Sequence, residues 1–475
     1  MLIFLYFLLF LAIHAFSYRF LDKIKNHPPS PFPVLPIIGH FYLFKKPLHR
    51  TLSKLSDRFG PVLLLRFGSR PVLLISSPSA ADLVWAPYGD HWRNLRRIST
   101  LEILTSSRVQ MMSHIRTDEI RSLMRRLVRS RNQTVELKSL FFELVLNVMM
   151  RMIAGKRYYG ENVEPVEDTK RFQEMVRDTL RLGGTTNISD FLPVLRFVSR
   201  GYEKSLIELQ EKRDRFMQRL IEENRERASS ESSTSLSEEN NKNMIQVLLF
   251  LQENEPDYYT DEIIRGMMLA LFSAGTDTSS GLMEWAMSLM LNHPEVLKKA
   301  QDELEYCVGH DCLVDESDLP KLSYLHCIIK ETMRMYPVGA LIPHQSSEEY
   351  TVSGFRIPRD TMLLVNLWAI QNDPKVWDGP AKFKPKRFKE LGDGMRDGFK
   401  LMPFGVGRRG CPGENLAMRM VGLTMASLIQ CFERETILNE KIDMTEQLGL
   451  SLSKAFPSKL QYQPCPTMLN ALSQI

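Results

Sequence analysis

The first hydrophobic pattern in the chain is a single unbroken run. Residues 1–18, MLIFLYFLLFLAIHAFSY, carry no formal charge. As a helix they span about 27 Å at 1.5 Å per residue, just enough for a bilayer. Arg19, Lys23 and Lys25 follow, so the positive-inside rule places the rest of the chain in the cytosol. A cleaved signal peptide would carry a basic start and an A-x-A cleavage site. This run has no basic start, and Ala12 and Ala15 are spaced wrongly for such a site. The pattern predicts a transmembrane anchor over 1–20. Residues 28–40, PPSPFPVLPIIGH, hold five prolines, which remove backbone donors and fix φ. They predict a stiff, non-helical hinge over 21–40, ahead of the main body over 41–475.

Beyond the hinge, the apolar runs VLLL and VLLI flank Gly68-Ser69-Arg70-Pro71 and predict a hairpin over 61–76. Residues 91–225 are mostly helical in period. Residues 229–243, SSESSTSLSEENNKN, predict a flexible loop. Thr260-Asp261-Glu262 is a helix start and Asn292-His293-Pro294 a stop. The helix between them should run to about 30 residues, roughly 45 Å. Residues 341–367 alternate and turn like a small β region, and further short strands are expected beyond 440. The fold class is therefore mainly α with a minor β region.

Composition narrows this little. The 475 residues are 44% hydrophobic and 25% charged, with net charge +5. That balance is ordinary for a large globular protein and lacks the concentrated basic stripe of a nucleic-acid binder. It suits an anionic membrane surface or an acidic partner. Six cysteines begin at Cys307 and include no CxxC pair, which argues against a disulfide framework and a structural zinc site.

Four constellations carry chemistry. In Phe404-Gly405-Val406-Gly407-Arg408-Arg409-Gly410-Cys411-Pro412-Gly413, four glycines permit close backbone approach. The sulfur lies near a predicted helix start with two arginines close by, which favours a thiolate able to ligate iron. From these residues alone, a buried structural cysteine remains open. In Ala274-Gly275-Thr276-Asp277-Thr278-Ser279, poor helix formers sit in mid-helix, as expected where a helix opens locally or packs through a notch. Glu331-Thr332-Met333-Arg334 pairs opposite charges at i,i+3, and Trp92 and Arg96 share a helix face at i,i+4.

Taken together, these strings resemble the cytochrome P-450 superfamily over nearly the whole chain. Phe404, Gly407, Arg409, Cys411 and Gly413 match its F-x-x-G-x-R-x-C-x-G loop, and 274–279 match its oxygen-activation motif. Glu331 and Arg334 match its E-x-x-R pair. Pro385-Lys386-Arg387-Phe388 matches its P-x-R-F segment, and Trp92 to Arg96 its W-x-x-x-R helix. Strings such as VWAPYGDHWRNLRRI and MRMIAGKRYYG are similar to the plant microsomal group of isoflavone and indole hydroxylases.

The resemblance implies a heme-thiolate monooxygenase with heme b as cofactor and Cys411 as axial iron ligand. Arg409, Trp92, Arg96 and His344 would face heme propionates, and Phe404 would pack beside the sulfur. Thr278 would be the alcohol and Asp277 the acid of oxygen activation, with Ala274 and Gly275 leaving room for dioxygen and substrate. Glu331, Arg334 and Arg387 would form a structural triad. Substrate contacts are expected near Ala270 and Ala274, from Val338 to Leu341, and near Phe456. The implied partners are an NADPH–cytochrome reductase, O2, a small hydrophobic substrate and membrane lipid, at the endoplasmic reticulum, with no nucleic acid. Arg93 and Arg97, beside Trp92 and Arg96, are expected to form a basic docking face.

One departure stands out. Family members carry roughly 30–40 more residues ahead of the Trp92 helix, whereas here Asp82 runs almost directly into Leu83-Val84-Trp85. Loops of that length are usually functional. The alternative expectation is therefore a heme-binding protein disabled by the shortened segment. Intact Asp277-Thr278 argues against a rearranging enzyme that needs no O2.

Overall fold

The computed structural model describes residues 23–77, 89–130, 133–160, 166–183, 187–230, 242–390, 400–436, 440–449 and 451–475, with a few positions before residue 23. Most of the expected anchor over 1–20, the Asp82–Leu83 junction and most of the serine-rich loop lie outside the described residues. Among the described residues, no helix is long and apolar enough to cross a membrane.

Seven helices position the site: α1 (Leu48–Phe59), α2 (Asp90–Ile98), α3 (Leu137–Ala154), α4 (Arg200–Ser230), α5 (Asp261–Leu291), α6 (Ser323–Met335) and α7 (Glu414–Cys431). The expected hairpin is present as β1 (Val62–Phe67) and β2 (Arg70–Ile75), with Gly68 at φ +59° in its turn. β3 (Leu341–Gln345) and β4 (Met362–Asn366) complete a four-stranded sheet in the order β1-β2-β4-β3. β2 and β4 run parallel, while β3 and β4 run antiparallel, and Leu363 lies opposite both Leu73 and His344. β5 (Glu446–Leu448) and β6 (Leu452–Lys454) pair as a second hairpin, followed by β7 (Lys459–Pro464). The expected class, mainly α with minor β, is the class observed.

α5 begins and ends where its sequence signals stand. The Thr260 hydroxyl accepts the Ile263 N–H, a cap that satisfies one of the open donors of the first turn. Asp261 in that turn is gripped by Arg225 at 2.6 Å, and this bond, with those from Gln218 and Gln252, holds its carboxyl well below the ordinary carboxylate range. Pro294 opens the next helix rather than extending this one. The local opening expected around 274–279 is not seen. α5 is continuous over 31 residues, and its hydroxyls bond back along it: Thr276 to Phe272 O at 2.7 Å, Thr278 to Ala274 O at 2.7 Å and Ser280 to Thr276 O at 2.9 Å. Such bonds occupy the side chains that would otherwise compete with the helix backbone.

The proline-rich hinge is docked on the sheet. His40 is fully buried. Its Nδ1 accepts the Arg66 N–H at 2.7 Å, and its Nε2 bonds Pro31 O at 2.8 Å. Leu64 N–H reaches Pro29 O at 2.9 Å. From residue 29 onward the segment is part of the body, since its carbonyls and His40 complete the open edge of β1. The main core wraps α3, α5, α6 and α7, and two smaller clusters cover the faces of the four-stranded sheet.

Candidate active site

The cysteine loop is shaped by its glycines. Gly405 and Gly407 take φ values of +69° and +66°, where side-chain-bearing residues are strained. These turns let the Cys411 N–H reach Phe404 O at 2.7 Å, while the Gly410 N–H reaches Gly407 O at 3.0 Å. The bond between Phe404 and Cys411 is thus one of backbone. Gly413 caps α7, and its N–H bonds the Cys411 sulfur.

The expected bias toward thiolate needs correction. Cys411 is open to solvent on one side, yet the protein packed behind it pushes its thiol above the ordinary value. The Gly413 N–H and Arg96 act in the expected direction, but desolvation is the larger cause. A bound cation would supply the missing bias, because a metal-coordinated thiol is deprotonated outright.

Around the loop the structure gathers the expected cations. The Arg409 guanidinium lies 4.0 Å over the Trp92 ring, a cation–π contact that fixes its plane. Arg96, one turn after Trp92 on α2, is within electrostatic reach of both Cys411 and Arg409. Burial lowers the Arg96 pKa most, and Arg409 lowers it further. His344 on β3 joins the group: burial and then Arg409 hold its pKa below the ordinary histidine value. Among the described residues, neither Arg96 nor Arg409 has a carboxylate partner. A thiol within reach of Arg96, with Arg409 held close to Arg96 and neither guanidinium paired to a carboxylate, fits an iron-centred ligand that carries carboxylates of its own.

On α5, Ala270, Ala274 and Thr278 recur at i,i+4 along one face, and Ala270 and Ala274 are exposed. At Gly275, a Cβ would sit 2.7 Å from Met149 Cε and 2.8 Å from its sulfur. The bare position is thus packed by the Met149 side chain of α3. The Asp277 carboxylate turns toward Ser451 rather than toward the Thr278 hydroxyl. Of the expected substrate contacts, Phe456 is exposed and Ala340 is buried in the core.

The triad assembles as expected. Arg334 donates to both oxygens of Glu331 at 2.8 and 3.0 Å, and Arg387 Nε adds a third bond at 3.0 Å. Arg334 also donates to Gln371 O and Pro380 O. Sequence reasoning missed Gln371, which is fully buried and binds Met333 O and the Met402 N–H. It ties α6 to the start of the cysteine loop. Its signal was a polar residue closing the apolar run MLLVNLWAIQ.

Comparison with known proteins agrees with this geometry. Residues 82–461 match the family model for cytochrome P-450. The (+)-piperitol/(+)-sesamin synthase of Sesamum radiatum is 44% identical over 94% of this chain and 92% of its own length. The isoflavone 2′-hydroxylase of Glycyrrhiza echinata is 43% identical over 95% of each. A zebra fish cytochrome P-450 solved with progesterone superposes with TM-score 0.73 over 88% of this chain and all of that one, at 24% identity, a likeness of fold alone. An Arabidopsis thaliana relative aligns over 506 positions, more than the 475 residues present here. That relative therefore carries residues inside the aligned span that this chain lacks. On its family match and its curated relatives, the chain belongs to the cytochrome P-450 family of heme-dependent monooxygenases.

Proposed function

We propose that this protein inserts one oxygen atom of O2 into a small, hydrophobic, aromatic specialised metabolite. Its electrons come from NADPH through a cytochrome reductase. The observation that carries the reading is the Cys411 thiol within reach of Arg96, which in turn stands near the Trp92-held Arg409. Cys411 would ligate the heme iron, and Arg96 and Arg409 would hold the propionates. The chain has no C-x-x-C-H string for c-type attachment, and heme b is the form proposed. When bound, it supplies the oxygen chemistry, favoured by the thiolate.

The protein's own part is positional. The face of Ala270, Ala274 and Thr278 receives substrate, and Asp277 moves protons. The substrate class rests on one relative named a (+)-piperitol/(+)-sesamin synthase and another named an isoflavone 2′-hydroxylase. The apolar run 1–18 followed by Arg19, Lys23 and Lys25 supports an anchor in the endoplasmic reticulum membrane with the body in the cytosol. The disabled alternative is not favoured, because hydroxylases and synthases match the chain nearly end to end.

Reconstitution with a reductase, NADPH and labelled O2 against a panel that includes an isoflavone tests the reading. Product carrying one labelled oxygen supports it, whereas heme uptake with no product from any panel member would support the disabled alternative. In the same assay, Thr278→Ala is expected to keep its heme but to lose about tenfold or more in product per NADPH, with hydrogen peroxide rising in its place. Unchanged coupling would remove Thr278 from the role.

α2 also supports the partner. Arg93 is exposed and pairs with Asp90, and the exposed Arg97 bonds Asn94 Oδ1 at 2.9 Å. Both are exposed on the helix that carries Trp92 and Arg96 and would present positive charge to an acidic partner. Reversing both to glutamate should slow electron transfer about tenfold at low salt and less at high salt, because screening weakens such contacts. Equal rates for variant and parent at low ionic strength would reject this face.

A further inference from the structure

Asp277 is half-buried on α5, and its Oδ2 accepts a hydrogen bond from the Ser451 hydroxyl at 2.5 Å. Ser451 lies 174 residues further along the chain, immediately before β6, and is 7% exposed. The backbone beside it is held from two sides. Leu452 N–H donates to Val338 O at 2.8 Å, and Leu452 O accepts the Trp285 indole N–H at 3.0 Å. Trp285 itself stacks on Tyr336 with ring centroids 4.0 Å apart and planes 10° apart. Two turns along α5 from Asp277, the Glu284 carboxylate accepts the Ser458 N–H at 3.1 Å. The β5–β6 hairpin and the turn after it are thus stitched along α5, so the Ser451 hydroxyl is held by rigid elements at both ends.

We propose that Ser451 is a positioning residue for proton delivery by Asp277. Its O–H fixes Oδ2, a charge-assisted bond of the stronger kind, and removes the rotamer freedom of a half-exposed carboxylate. Oδ1 accepts no hydrogen bond among the described residues, so it is the oxygen that exchanges protons with water. Holding one oxygen while freeing the other keeps the acid in a single orientation during turnover. The inference rests on Asp277 being the acid of the oxygen-activation pair.

The test uses the heme-loaded protein as parent, Ser451→Ala, Ser451→Thr, Asp277→Ala and the Ser451→Ala/Asp277→Ala double variant. Thermal unfolding forms a double-mutant cycle. Ser451→Ala should lower Tm by a few degrees in the parent and by clearly less when Asp277 is already alanine. Additive shifts would overturn the proposal.

The second readout is the share of NADPH electrons released as hydrogen peroxide rather than water, with reductase present and no substrate added. Ser451→Ala should raise that share about threefold, a small part of what general acid catalysis contributes, and Ser451→Thr should restore it. If Asp277→Ala raises the share and Ser451→Ala does not, the positioning role is wrong. If Asp277→Ala leaves it unchanged, the acid assignment itself is wrong, and the role of Ser451 falls with it.

Discussion

Cys411→Ser is expected to abolish the thiolate-type absorption of the reduced, carbon monoxide-bound protein and to reduce product formation by roughly 10³-fold or more, the scale of losing an essential group. Three features lead to this result. The sulfur is exposed on one side only, the Gly413 N–H bonds it, and Arg96 stands near it. None of the other five cysteines lies in this loop. A serine hydroxyl is a hard, neutral donor under the same desolvation and does not replace a soft anionic ligand. The substitution is nearly isosteric, and the backbone bond from Cys411 N–H to Phe404 O does not involve the sulfur, so the fold should persist. Absorption and circular dichroism on one preparation check both halves. A thiolate-type spectrum in the serine variant would end the ligand assignment.

Glu331→Ala should cost about 3–5 kcal/mol of stability, the range for breaking a buried ion pair from one side. Glu331 and Arg334 are both fully buried. The carboxylate accepts from Arg334, from Arg387 and from the Lys384 N–H at 3.0 Å. Its removal leaves a desolvated guanidinium with no carboxylate, held only by carbonyl oxygens and the Trp377 ring. The damage should reach the cysteine loop, because Arg334 holds Gln371 through its carbonyl and Gln371 holds the Met402 N–H. The variant is therefore expected to melt well below the parent and to be purified with less heme per chain. Glu331→Gln keeps the shape and an acceptor, and should lose less. Thermal melts and heme content together decide the matter: a Glu331→Ala protein that melts with the parent and holds full heme would show that the triad does not support the site.

Much of this architecture is written in short stretches of chain. The α5 boundaries follow from Thr260 and Pro294, and the β1–β2 turn from Gly68. The cysteine loop follows from glycines placed where left-handed backbone is required. In each case the cause lies within a few residues of its effect, through a cap, a fixed φ or a missing Cβ, so spacing alone exposes it. The pairing of Trp92 with Arg96 and of Glu331 with Arg334 was accessible for the same reason, since helix geometry brings i+3 and i+4 together.

Other features required the folded chain. Ser451 meets Asp277 across 174 residues, Met149 fills the notch at Gly275, and His40 turns a proline hinge into part of the sheet. No local pattern signals such meetings, because they depend on which distant segments pack together. The Cys411 thiol shows the limit most directly. Its sequence neighbours, two arginines and a helix start, argue for a lowered pKa, and the fold raises it. Desolvation depends on all the protein packed around a group, and that surrounding volume exists only once the tertiary structure has formed.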